Sequence, residues 1–145
     1  MRKFVVIAGN IGVGKSTLVN LLSEYLGWQG FLEPVIENPY LPDFYQDMPR
    51  WGFHSQMHFL AFRYRLHREV EDFKGSVVLD RSIYEDAEVF AKNLYLSGAM
   101  TRREYDTYYT TFLNYCETIS PPDLIIYLRA EVETLQCRIN QRDRD

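Results

Sequence analysis

The chain has 145 residues, and several of its scarcities are informative. It has two cysteines, Cys116 and Cys137, with neither a Cys-x-x-Cys pair nor zinc-ligand spacing, so a disulfide scaffold and a zinc module are excluded. Both are expected to be buried, reduced thiols. No apolar run approaches the ~20 residues needed to span a bilayer. The first apolar run begins within three residues of Met1, so no leader or transit peptide is expected, and the chain reads as cytoplasmic. Basic charge is also short: the net charge is −4, which argues against a duplex-DNA binder, whose footprint is basic as a whole. Repeats, low-complexity tracts and a second domain are absent. A hydrophobic fraction of 46% is nevertheless ample for one packed core over 1–145.

The apolar runs that are present alternate with helical patterns. Phe4 to Ala8 is a short continuous run, as expected of a parallel strand covered on both faces. Leu18, Leu21, Leu22, Tyr25 and Leu26 then recur at helical spacing, and Gly27 offers a stop. Phe31-Leu32 predicts a second strand entering Glu33-Pro34. Prolines 39, 42 and 49 predict an irregular, aromatic-lined segment around Tyr40, Phe44 and Tyr45. A long helix follows from Trp51 to about Phe73, with Phe59, Phe62, Leu66, Val70 and Phe73 on its inward face. Val77 to Leu79 predicts the third strand, ending at Asp80-Arg81. Ser82 with Glu85 and Thr101 with Glu104 read as capping boxes for helices to about Leu96 and Ile119. Leu124 to Leu128 is the fourth strand, and Val132, Leu135 and Ile139 mark a last helix. This β-α alternation predicts an α/β fold with a parallel sheet and helices on both faces, since parallel strands need crossover connections.

The chemistry concentrates in Gly9-Asn10-Ile11-Gly12-Val13-Gly14-Lys15-Ser16, followed by Thr17. This matches the full phosphate-loop pattern, in the strand–loop–helix context the pattern requires. Its glycines let backbone N–H groups converge on phosphate oxygens at a helix N-terminus, Lys15 reaches the β/γ-phosphates, and Ser16 can ligate Mg²⁺. The loop establishes nucleotide-phosphate binding and leaves the acceptor open. No Asn-Lys-x-Asp guanine-reading motif is present, which weighs against a GTPase. Glu33 and Asp80 follow parallel strands, as the loop does, and ligands of such sheets bind beyond the carboxyl ends of the strands. Gln56 and Arg63 stand seven apart, on one face of a helix, suited to hydrogen-bonding one planar base.

Together with Glu33-Pro34, Tyr45, Asp80-Arg81-Ser82, Asp86 and the stretch from Arg138 to Arg144, these motifs closely resemble the deoxynucleoside kinase family over essentially the whole chain. The resemblance is strongest to bacterial deoxyadenosine/deoxyguanosine kinases and related deoxycytidine kinases. It implies a P-loop fold of the nucleoside/nucleotide kinase type and transfer of the ATP γ-phosphoryl group to the 5′-hydroxyl of a deoxynucleoside. It further implies Glu33 as general base, Arg81 on the 5′-oxygen and transferring phosphate, and Asp80 organising Mg²⁺ through water. Many relatives have Glu at position 80. In the same terms, Tyr45 would bond the sugar 3′-hydroxyl, Gln56 and Arg63 would read the base, and Asp86 would assist beside Arg63. Phe90, one turn beyond Asp86, can wall the pocket. Arg138, Arg142 and Arg144 resemble lid arginines closing over the triphosphate.

By the same resemblance, a carboxylate at 86 implies deoxyadenosine or deoxyguanosine rather than thymidine as acceptor, with deoxycytidine a further one. Family members are typically homodimers, and they continue into a lid glutamate, further helices and a fifth strand, so the chain is expected to be C-terminally incomplete. Two rivals remain: a nucleoside-monophosphate kinase, and a silent nucleotide-binding subunit. His54 and His58 lack the Glu of a metalloprotease pattern, and His67 reads as a lone surface histidine. The cluster Tyr105, Tyr108, Tyr109, Phe112 and Tyr115 reads as core or a subunit contact.

Overall fold

The computed structural model describes residues 1–32 and 37–144, with the side chains of 142–144 outside the description. Phe4–Gly9 forms β1, whose first five residues are buried. On one side it pairs in parallel with β3 (Val77–Asp80), which is wholly buried, and on the other with β4 (Leu124–Leu128). A short β2 (Gln29–Phe31) lies beyond β3, giving the order β2-β3-β1-β4. The register sets Ile7 against Asp80 and Gly9 against Leu128, so the ends of β1 and β3 bring a glycine turn and a carboxylate to one sheet margin. Burial on both faces explains why β1 and β3 read as unbroken apolar runs. Among the described residues β4 is the last strand on its side of the sheet, and Leu124, Ile125 and Tyr127 on it are exposed.

By its internal contacts the chain divides into two units. The first contains the sheet, α1 (Lys15–Leu26) and α7 (Val132–Arg144). Val19 of α1 packs with Val5, Ile7 and Val78, and Gly27 ends the helix in the left-handed conformation. Cys137, on α7, is exposed, and Cys116 is half-buried; both are free. The expectation of two buried thiols therefore fails for Cys137, since Leu135 is the residue of that helix buried in the core among the described ones.

The second unit is helical: α2 (Leu41–Gln46), α3 (Met48–Asp72), α4 (Ile83–Glu85), a π-helical turn (Asp86–Ala91), α5 (Lys92–Leu96) and α6 (Arg102–Cys116). The proline-rich segment predicted to be irregular contains α2 instead. Pro42 and Pro49 fall in the first turns of α2 and α3, where a missing N–H costs no intrahelical bond. Gly52 lies inside α3, and a Cβ there would stand 2.6 Å from the Ala99 carbonyl oxygen, so close backbone approach accounts for the glycine. Both capping boxes mark helix starts: the Glu85 carboxylate accepts the Ser82 N–H at 2.9 Å, and Thr101 and Glu104 cap each other reciprocally. The helix expected to run evenly to Leu96 is interrupted by the π turn, and the second ends at Cys116.

The inward face of α3 differs most from expectation. Phe62 and Phe73 are exposed, whereas Ser55, Gln56, Leu60, Arg63, His67 and Val70 are buried. Polar groups occupy this face because they have partners there. The Asn38 amide donates to the Ser55 hydroxyl at 3.1 Å, Arg63 pairs with Asp86, and His67, read from sequence as a surface residue, accepts a backbone N–H. The apolar core of the unit is built on Leu60, Ile83, Ala87, Met100, Tyr108 and Phe112. Around it Tyr64 stacks on Tyr115 with ring centroids 4.1 Å apart, and Tyr95 on Tyr105 at 4.9 Å.

Candidate active site

In the sheet unit the loop between β1 and α1 is shaped by glycines that other residues replace only with strain. Gly12 and Gly14 have φ of +79° and +105°, and a Cβ on Gly9 would stand 2.8 Å from the Leu128 carbonyl oxygen. Asn10 organises the turn: its side-chain oxygen accepts the Ile11 N–H at 2.9 Å and its carbonyl accepts the Val13 N–H at 3.2 Å. The same carbonyl accepts from the Lys15 ammonium at 2.9 Å, and Lys15 is 7% exposed. A nearly buried cation over a helix N-terminus makes a strong site for a polyanion. Arg138 of α7 donates to the carbonyls of Gly12 and Val13 at 3.3 and 3.1 Å, so its guanidinium lies against the loop.

Ser16, at the start of α1, donates its hydroxyl to Asp80 Oδ2 at 2.8 Å. Asp80 is 2% exposed, and its Oδ1 has no hydrogen-bond partner among the described residues. Arg81 is the one non-glycine in the left-handed region among the described residues, with φ of +65°. That conformation costs a non-glycine residue roughly 1–3 kcal/mol and persists only where the surroundings impose it. Here the Arg81 N–H bonds the Ile7 carbonyl at 2.9 Å and its guanidinium the Gly9 carbonyl at 3.2 Å. Strain at Arg81 thus aims a second cation at the phosphate loop. Thr17 follows Ser16 on α1. Glu33 and the side chains of Arg142 and Arg144 lie outside the described residues.

The second constellation belongs to the helical unit. Arg63 and Asp86 are 5% and 6% exposed, and Arg63 Nε donates to Asp86 Oδ2 at 3.0 Å. Gln56, two turns before Arg63 on α3, is also buried. Asp86 opens the π turn; such turns are frequent at functional sites because they re-aim side chains. Phe90, on the same turn, is 39% exposed, and Tyr45 is 68% exposed with its ring against Phe44. The structure therefore joins Arg63 to Asp86 and places Gln56 on the same buried face, while Tyr45 stays at the surface.

Two further residues belong to this neighbourhood: Tyr108, read from sequence as core or a subunit contact, and His67, which sequence reasoning placed at the surface. Tyr108 is fully buried, and its hydroxyl has no hydrogen-bond partner among the described residues; burial first, and the Asp86 charge next, push its pKa far up. His67 is 1% exposed. The available signal for it was its position four residues after Arg63, on the same helical face. Among the described residues no His, Cys, Asp and Glu group is arranged as a metal cluster, and His54 and His58 pack among Tyr40, Trp51 and Phe62.

Comparison with known proteins bears on both constellations. The family model for deoxynucleoside kinases matches residues 5–145. The chain is 43% identical to the deoxyadenosine/deoxycytidine kinase of Bacillus subtilis over 143 residues, covering 97% of this chain and 66% of that protein. It is 40% identical to the deoxyadenosine kinase of Dictyostelium discoideum, covering 97% of this chain and 57% of the relative. A solved structure of deoxyadenosine kinase from M. mycoides with bound dATP superposes with a TM-score of 0.80 at 31% identity, over 97% of this chain and 72% of that one. The chain thus spans about two thirds or less of the length of these curated relatives.

Proposed function

Because the chain belongs to the deoxynucleoside kinase family, we propose that it carries the donor and acceptor sites of an enzyme phosphorylating the 5′-hydroxyl of a deoxynucleoside with ATP. The observation that carries this reading is the buried Arg63–Asp86 pair, on a face shared with Gln56. A buried guanidinium–carboxylate pair is costly to keep unless it serves something, and base recognition by paired donors and acceptors is such a use. A nucleoside-monophosphate kinase would instead need cations for the acceptor phosphate. Purine deoxynucleosides are the preferred acceptors in this reading, with deoxycytidine next; the names of the two relatives support both.

The donor triphosphate lies along the Gly9–Thr17 loop. Its backbone amides and Lys15 take the β- and γ-phosphates, while Arg81 and Arg138, with Arg142 and Arg144 beyond them, neutralise charge that develops during transfer. Glu33 accepts the proton of the 5′-hydroxyl as that oxygen attacks the γ-phosphorus and the bond to the β–γ bridging oxygen breaks. Ser16 and Asp80 suit a hard divalent cation, for they offer a hydroxyl and a buried carboxylate whose Oδ1 has no protein partner among the described residues. Mg²⁺ held there supplies charge neutralisation on the phosphate oxygens. Tyr45 bonds the sugar 3′-hydroxyl, and Phe90 walls the base.

The reading extends to a cytoplasmic homodimer. Exposed Val89, Leu96 and Leu113 support a contact between copies, and among the described residues no helix is long and apolar enough to cross a membrane. The test is transfer from γ-labelled ATP with Mg²⁺ to deoxyadenosine, deoxyguanosine, deoxycytidine, thymidine and dAMP. Preference for the purine deoxynucleosides is expected. Labelling of dAMP alone would overturn the acceptor assignment.

A further inference from the structure

Among the described residues of the helical unit, His67 is a buried titratable side chain to which the chemistry above gives no task. His67 is 1% exposed, and its Nε2 accepts the Ile83 N–H at 3.0 Å. Ile83 is the first residue of α4, so this amide is one of the donors that a helix start leaves without an intrahelical partner. An imidazole that accepts at Nε2 carries its proton on Nδ1 and is neutral. Burial, then the Arg63 charge one turn earlier on α3, hold it so, lowering its pKa to about 4. The ring meets Tyr84 edge-on, with centroids 6.1 Å apart, so its plane is fixed as well.

Hydrogen bonds consequently join α3 to the segment that begins at Ile83. His67 holds Ile83, and Arg63 holds Asp86, four residues apart on α3 and three apart on the partner segment. Asp86 is where the helix changes to π geometry, so small displacements of Ile83 along the axis would rotate Asp86 away from Arg63. We propose that His67 is a positioning residue of the nucleoside site: by accepting the Ile83 amide it sets the start of the π turn, which presents Asp86 to Arg63. This rests on the reading of Arg63 and Asp86 as base-recognising groups. His67 touches neither substrate nor the reacting atoms in this role.

Three variants test it in the purified protein. Gln places an acceptor oxygen near the Nε2 position, Asn places one near Nδ1, and Leu fills the volume without an acceptor. The expected result is that His67→Leu and His67→Asn raise KM for deoxyadenosine at least tenfold with KM for ATP changed less than twofold, and that His67→Gln stays within threefold of wild type. Should His67→Leu fail to fold, the Gln and Asn pair decides on the same criterion. An equal rise in both KM values, a fall in kcat alone, or Gln performing as poorly as Asn would overturn the proposal. A wild-type protein that phosphorylates no deoxynucleoside takes the functional reading down with it, whereas an active wild type with unshifted variants removes only the role of His67.

Discussion

The sheet unit and the helical unit assign function to different parts of the chain. In the sheet unit the candidate chemistry resides in the backbone: a run of eight residues, three of them glycines, turns between β1 and α1, and most of its polar contacts are made by main-chain groups. In the helical unit it resides in side chains brought from distant points, with Arg63 meeting Asp86 across 23 residues of sequence and His67 meeting Ile83 across 16. A backbone site tolerates little change in residue type but is contiguous. A side-chain site depends on the packing of two helices, and a fault anywhere in that packing reaches it.

This contrast makes distinct predictions, the largest at the phosphate loop. Lys15→Ala should lower phosphoryl transfer on the order of 10²–10³-fold while deoxyadenosine binding, followed by calorimetry, changes little. Loss of nucleoside binding of similar size would show that the two sites are not separable. Asp86→Ala should strike stability and selectivity together. It leaves Arg63 buried without its carboxylate, at a cost of roughly 3–5 kcal/mol in urea unfolding, and it should depress purine phosphorylation more than that of other acceptors. The double variant Arg63→Met/Asp86→Leu should regain most of the stability and none of the purine activity. Equal loss for every nucleoside would contradict the assignment of Asp86.

The His67 contact adds a pH dependence confined to the helical unit. Its folded-state pKa of about 4 lies below the ordinary 6.5, so the unfolded chain binds more protons between those values. Its contribution is therefore complete above about pH 6.5 and lost as the pH falls toward 4, by up to about 3 kcal/mol. Urea midpoints at pH 7 and pH 4.5 should differ more for wild type than for His67→Gln; parallel slopes would show that His67 is not the titrating group. The smallest effect concerns Tyr108. Removing a buried hydroxyl that has no partner among the described residues should make Tyr108→Phe more stable by about 1 kcal/mol. A decrease in its melting temperature would reveal that the hydroxyl is bonded in solution.

What was legible from sequence follows the same division. The phosphate loop, the four parallel strands, the stop at Gly27 and the two helix caps were all readable, because each is set by residues within a few positions of one another. The segment around Leu41–Gln46 was misread because proline was taken as a breaker, although it fits a first turn. The inward face of α3 was misread for a deeper reason. Counting apolar residues placed Phe62 and Phe73 inside, whereas burial is granted to polar groups whose partners wait on other elements: Asn38 for Ser55, Asp86 for Arg63, the Ile83 amide for His67. The π turn and the left-handed Arg81 likewise have no signature within their own residues. Sequence by itself determined the local geometry of the loop between β1 and α1, since short-range sterics and backbone hydrogen bonds suffice for it. Only the tertiary structure decided which side chains are buried together, because the free energy of a buried polar group depends on a partner that chain proximity does not supply.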